Sequence, residues 1–295
     1  MSQTDQQALQ LCEDGLQQMW HGAVDAAIEL YDRAIAIADT DETRELVTIR
    51  KAEALIAAER EGSEVNALPA IVMRRRSPRH VYHAASALTR KYSESQDERK
   101  RALFYADIAR RAAEEMDDSY AHVFALNSVG TLQVIESSFT EAIDTFERAL
   151  AIITLEAVQS ERLEKMRDSL VGNLGGAKVL SGRYDEGIVL LESVLPRMDV
   201  DYLIAEVCLD LCFAYTELGE YKRAERFGYR ALNLSTLRRQ VRNANHLLGE
   251  ICIRTQRYDE ADGYFDVVAS YYPDFKNVKQ LLVAVDLCAV VNWKA

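Results

Sequence analysis

Glycine and proline are scarce, at 13 and 4 in 295 residues. A chain of short strands draws on these residues at every hairpin turn, whereas helices joined by short turns need few, so an almost wholly helical chain follows. No run of 18 apolar residues occurs, and the amino-terminal MSQTDQQALQ has neither the basic nor the apolar region of a signal peptide. A cytoplasmic protein with no membrane partner is expected. Cysteine is sparse and odd in number, Cys12, Cys208, Cys212, Cys252 and Cys288, which fits reduced thiols and excludes a disulfide framework.

Chemical motifs are missing as well. There is no HExxH, no Cys/His cluster and no Gly-x-Ser-x-Gly elbow. The glycines of Gly172-Asn-Leu-Gly175-Gly176-Ala-Lys178 imitate a phosphate loop, but the lysine follows alanine, no Ser or Thr comes after it, and no strand precedes it. His80 and His83 stand at i,i+3 without a third ligand, and Cys208 and Cys212 at i,i+4 likewise. No catalytic residue, metal or cofactor is expected.

What is present is charge, unevenly spread. The net charge of −12 divides into −9 over residues 1–68, +7 over 69–113, −9 over 114–200 and −1 over 201–295. Nucleic acid is excluded as a partner, because phosphate needs a basic footprint and this basic island has acidic flanks. The island, with Arg74, Arg75, Arg76 and Arg79 at its start, is either a solvated face or a docking patch for an acidic partner.

A repeat is also present. Phe139-Thr-Glu-Ala142-Ile-Asp-Thr-Phe146-Glu-Arg-Ala149 aligns with segments starting at Tyr184, Tyr221 and Tyr258, and with Val24-Asp-Ala-Ala27-Ile-Glu-Leu-Tyr31-Asp-Arg-Ala34. Apolar and small residues recur in each at helical spacing. Upstream of each lies a second amphipathic pattern carrying a small residue, Gly15, Gly130, Gly175, Cys212 or Gly249, that lets a paired helix approach closely. The pattern resembles the tetratricopeptide repeat, two antiparallel helices with small residues at positions eight, twenty and twenty-seven. Pro273 falls at the family's position thirty-two. The spacings from Ala142 to Gly187, Ala224 and Ala261 are 45, 37 and 37 residues, longer than the family's 34. Cys208, Cys212 and Cys252 then fall at core positions.

The resemblance implies one all-α solenoid over residues 1–295, an α-α superhelix of about seven helical hairpins closed by a capping helix. Its parts are a repeat at 5–39, divergent hairpins at 43–116, four repeats at 119–273 and the cap at 275–293. Within the divergent part the residues suggest helices over 43–61, 69–76, 78–91 and 96–116, with Pro69 opening the second. Leu287, Val290, Val291 and Trp293 leave the cap too apolar to stand exposed, so a homodimer partner or a further domain is expected to cover it.

In tetratricopeptide proteins the first helix of each pair lines a groove. Register places Asn127, Thr131, Asn173, Leu209, Phe213, His246, Glu250 and Arg254 there, with Gly172 and Gly176 leaving it roomy. The family's carboxylate clamp is not reproduced, since only Asn127 has its chemistry. The resemblance therefore implies a non-catalytic scaffold or adaptor that binds a protein or peptide in the groove, with Asn127, Asn173, Asn243 and Arg254 orienting backbone amides. Its alternative is a regulatory input domain of a bacterial signalling protein, responsive to a peptide or coupled to an output domain such as a diguanylate cyclase or transcription factor.

Overall fold

The computed structural model describes residues 2–21, 23–93, 96–155, 161–235 and 237–271. The chain packs as two units, Met1–Leu132 and Gln133–Ala295. The first holds α1 (Gln3–Trp20), α2 (Val24–Ile37), α3 (Asp41–Ala57), α4 (Ser63–Arg74), α5 (Pro78–Ser93), α6 (Arg99–Glu115) and most of α7 (Ser119–Ile135). The second holds α8 (Phe139–Leu155), α9 (Glu161–Leu180), α10 (Tyr184–Val194), α11 (Asp201–Glu217), α12 (Tyr221–Leu234), α13 (Arg238–Arg254) and α14 (Tyr258–Ala269). Every described element is helical, and none is long and apolar enough to cross a membrane. The expected cap at 275–293, with Leu287, Val290, Val291 and Trp293, lies outside the described residues.

Each unit is built of antiparallel hairpins whose local chemistry repeats. In the first unit a side-chain oxygen caps every odd-numbered helix. Ser2 accepts from the Asp5 amide at 3.0 Å, Thr40 from Thr43 at 3.2 Å, Ser77 from His80 at 3.2 Å and Asp118 from Ala121 at 2.9 Å. These caps satisfy amides that have no partner within the helix. Four of the intrahairpin turns close the same way, through one residue in the left-handed conformation, Glu59, Gly182, Gly219 and Gln256, and Ser137 before α8 adopts it too. The next amide then reaches back five residues, as from Arg60 to Leu55 at 2.8 Å and from Arg257 to Cys252 at 2.7 Å. At Gln256, with φ of 63°, the side chain strains this conformation. Gln256→Gly is expected to stabilise the second unit by about 1 kcal/mol, read as a higher urea midpoint. An unchanged or lower midpoint would show that the turn is unstrained.

The recurring small residues are contact points. A Cβ added to Gly15 would stand 2.6 Å from the Tyr31 ring, one added to Gly175 would stand 2.8 Å from Leu191, and one added to Gly249 would stand 2.9 Å from the Phe265 ring. In the α11/α12 hairpin both partners are small: Gly228 faces Cys212, and the volume moves to a Tyr215–Phe227 stack at 5.7 Å. Cys12, Cys208, Cys212 and Cys252 are all buried, and burial pushes the Cys12 and Cys208 thiols up to about 11. They serve as small apolar core residues.

Pro69 corrects the sequence reading. The second helix of that hairpin starts at Ser63, so the proline sits inside α4 instead of opening it. Its missing amide and ring clash cost about 3 kcal/mol. Val65, Leu68, Ile71 and Val72 are nonetheless buried on one side of α4, and burial at about 1.5–3 kcal/mol per side chain outweighs that cost. Farther on, α6 starts at Arg99, after a 3₁₀ turn over Gln96–Glu98.

Candidate functional site

In the second unit α9, α11 and α13 are the first helices of successive hairpins. Here α13 is unusual, because it buries Gln240, Asn243, Asn245, His246 and Glu250 among its apolar residues. Buried polar atoms are ordinarily hydrogen-bonded, since an unmet one costs about 1–3 kcal/mol. Several are met here. The Gln240 amide nitrogen donates to the Tyr202 carbonyl at 2.7 Å and to Glu206 at 2.9 Å, both on α11. Asn243 Oδ1 accepts from the Arg242 guanidinium at 3.0 Å. Arg254 bridges Glu250 at 2.7 Å and Glu217 of α11 at 2.8 Å, and Arg239 pairs with Glu206 at 2.5 Å.

Three atoms are not met. Gln240 Oε1, Asn243 Nδ2 and His246 Nδ1 are buried without a hydrogen-bond partner, on residues three apart along one side of α13. The row offers an acceptor, a donor and an imidazole nitrogen. The His246 ring also packs edge-on against Phe265 at 6.0 Å, and burial followed by Arg242 lowers its pKa to about 4. It is therefore neutral at neutral pH.

The residues expected to line a groove are distributed differently. Leu209 is fully buried in the core of the α9–α13 stack and faces no groove. Phe213 is half-buried and packs edge-on with Tyr184 of α10 at 6.4 Å. Asn173 is half-buried on α9, and Glu250 is buried with Arg254 half-buried beside it. Gly172 and Gly176 do not leave room. A Cβ on Gly172 would meet Met198 at 3.3 Å and Val207 at 3.5 Å, and one on Gly176 would collide with the Asp210 carboxylate of α11. These glycines admit the neighbouring helix. Asn127 and Thr131 lie one turn apart on α7 in the first unit, where the Thr131 hydroxyl donates to the Asn127 carbonyl at 2.9 Å. Gln240 and Asp210 escaped the register reading, although a polar residue three before Asn243 on an amphipathic helix was a readable signal.

The basic island folds largely onto its own acids. Arg74 lies 3.5 Å from Glu45, Arg75 3.5 Å from Glu115 and Arg76 3.8 Å from Asp41, while Arg79 has no ion-pair partner among the described residues. Deeper in this unit Arg50 donates to Glu53 at 2.8 Å and lies 3.2 Å from His83 Nε2. A guanidinium only donates, so His83 Nε2 accepts and Nδ1 carries the ring proton, directed at Glu53 at 3.9 Å. Burial, then Arg50, Arg79 and His80, lowers His83 to about 3.

No family model matches the sequence, and no curated protein matches it in sequence. Solved structures do match the fold. A Rap protein complexed with Competence and Sporulation Factor superposes with a TM-score of 0.69 at 15% identity, covering 98% of this chain and 85% of the other. NprR in complex with its cognate peptide NprX gives 0.67 at 17%, covering 95% and 86%. A tetratricopeptide repeat protein from Parabacteroides merdae gives 0.60 at 17%, covering 95% and 98%. The chain has the helical-hairpin fold of tetratricopeptide-like proteins.

Proposed function

We propose that the second unit is a non-catalytic, cytoplasmic binding module that captures an extended peptide across the α11 and α13 side of its first helices. The observation that carries this reading is the row of unmet buried atoms on Gln240, Asn243 and His246. A peptide backbone presents alternating N–H and C=O groups, the partners that Gln240 Oε1 and Asn243 Nδ2 lack; both atoms are closed off in the free chain, so capture requires the side chains covering α13 to move aside. The two complexes of like fold, one holding Competence and Sporulation Factor and the other the peptide NprX, support the same reading. Capture either serves a scaffold or, in the sensor form, is passed to an output. Both forms use the same site.

Selection of short peptides from a display library against the full chain tests the proposal. Asn243→Ala is expected to weaken the selected peptides by about tenfold or more, because it removes one directed hydrogen bond in a buried site. The variant also loses Oδ1, the buried acceptor for Arg242, so a stability loss of about 1–3 kcal/mol is expected and binding is read at a temperature where the variant is folded. Peptides that bind wild type and variant equally would refute the assignment.

A further inference from the structure

The second helices of the second unit carry a charge pattern that peptide capture does not use. On α12 the residues Lys222, Arg226 and Arg230 are exposed at successive turns, and among the described residues none has an ion-pair partner. Arg223 on the same helix, by contrast, pairs with Glu220 at 3.1 Å. Tyr229 stands in the same row and is 41% exposed. The neighbouring α14 turns Asp259, Asp266 and Val267 outward. Between them lies Gly263, where an added Cβ would meet nothing within 4 Å.

The two helices run side by side in the same direction. Arg257, just before α14, pairs with Glu225 in the first turns of α12, and farther along the Tyr229 and Tyr264 hydroxyls meet at 2.9 Å. A cationic ridge and an acidic, notched strip thus share one continuous face.

We propose that this face binds a second copy of the chain, about a two-fold axis parallel to α12 and α14 that sets α12 of one copy against α14 of its partner. That axis brings Arg226 and Arg230 opposite Asp259 and Asp266 twice over. It also seats the ridge at Gly263, where the missing side chain leaves space. A two-fold perpendicular to the helices would set α12 on α12, cation against cation. The face is self-complementary, as an isologous contact requires. An acidic segment of another protein would match α12 alone and meet repulsion at the carboxylates of α14. Tyr229 and Val267 supply the apolar centre, while the charge pairs, worth little individually in water, fix register and orientation.

Light scattering on the full chain across a concentration series tests the proposal. Wild type is expected to reach the mass of two chains of 33.3 kDa each. Arg226→Glu/Arg230→Glu and Asp259→Lys/Asp266→Lys should each weaken self-association by about tenfold or more, and mixing the two variants should restore a dimer. Gly263→Arg fills the notch without touching the core, so it should remain folded and monomeric, and it decides the matter if a charge variant fails to fold. A wild type that stays a single chain at high micromolar concentration overturns the proposal, as does a dimer indifferent to Gly263→Arg and to charge reversal.

Discussion

Replacing Gly187 with alanine is expected to destabilise the second unit by about 3 kcal/mol or more. The added Cβ would stand 2.5 Å from Val179 Cγ2, 2.7 Å from the Gly175 carbonyl oxygen and 3.0 Å from the Val179 amide nitrogen. Two of these atoms are helix backbone, which cannot rotate aside as a side chain can. Helices α9 and α10 would have to part, and Leu191, seated on Gly175, would lose its packing. Helix propensity pulls the other way, favouring alanine over glycine by about 1 kcal/mol. The sign of the change in urea unfolding therefore decides between the two effects. A stabilised variant would mean that the two helices stand farther apart than the structure places them.

Mild acid is expected to destabilise the chain well above the pH at which carboxylates protonate. His83 and His246 are held neutral in the folded chain, lowered to about 3 and about 4, mainly by burial. In the unfolded chain each takes up a proton near the ordinary histidine value of about 6.5. Between those values the unfolded form binds more protons, so stability falls as pH falls from about 6.5 toward 4 and is untouched by these groups above about 7. The loss is of the order of 3 kcal/mol for each histidine at the acid end of the window. Lowered carboxylates such as Asp107 and Glu64 begin to lose their contribution only at their ordinary range, the acid end of this window, while Glu53 beside His83, raised by burial, takes up its proton more readily in the folded chain and offsets part of the fall. Urea midpoints measured across the window should therefore flatten in His83→Gln and again in His246→Gln. Slopes equal to wild type in both variants would show that neither imidazole is held neutral.

The hairpins were legible because they rest on fixed spacing. Gly15 opposite Tyr31, Gly175 opposite Leu191 and Gly249 opposite Phe265 each repeat one small-to-large pairing, and each is a contact in the structure. Gly187 falls where Ala142, Ala224 and Ala261 recur elsewhere, but its close approach to Val179 and to the Gly175 carbonyl is visible only in the structure. Side-chain direction was less legible. A residue advances 100° around a helix, so a repeat lengthened beyond the family's spacing shifts register enough to move Leu209 from a supposed groove into the core. Gly172 and Gly176 looked like empty space because a sequence shows the missing side chain but not Asp210, Met198 and Val207 arriving from elsewhere to fill it. Pro69 was misplaced because its local preference is visible while the burial of α4 is a tertiary effect. The charges of Arg74, Arg75 and Arg76 looked available for the same reason, since their acids lie elsewhere in the chain. Of the site itself, Asn243, His246, Glu250 and Arg254 could be named from register, but the unmet atoms that point to a peptide are a property of packing.

Hydrogen–deuterium exchange of the full chain, with and without a saturating selected peptide, tests peptide capture most directly. Slower exchange confined to α11 and α13, over 201–217 and 238–254, and lost in Asn243→Ala, is the result expected. Peptide binding that leaves both helices unchanged and protects another surface would contradict it.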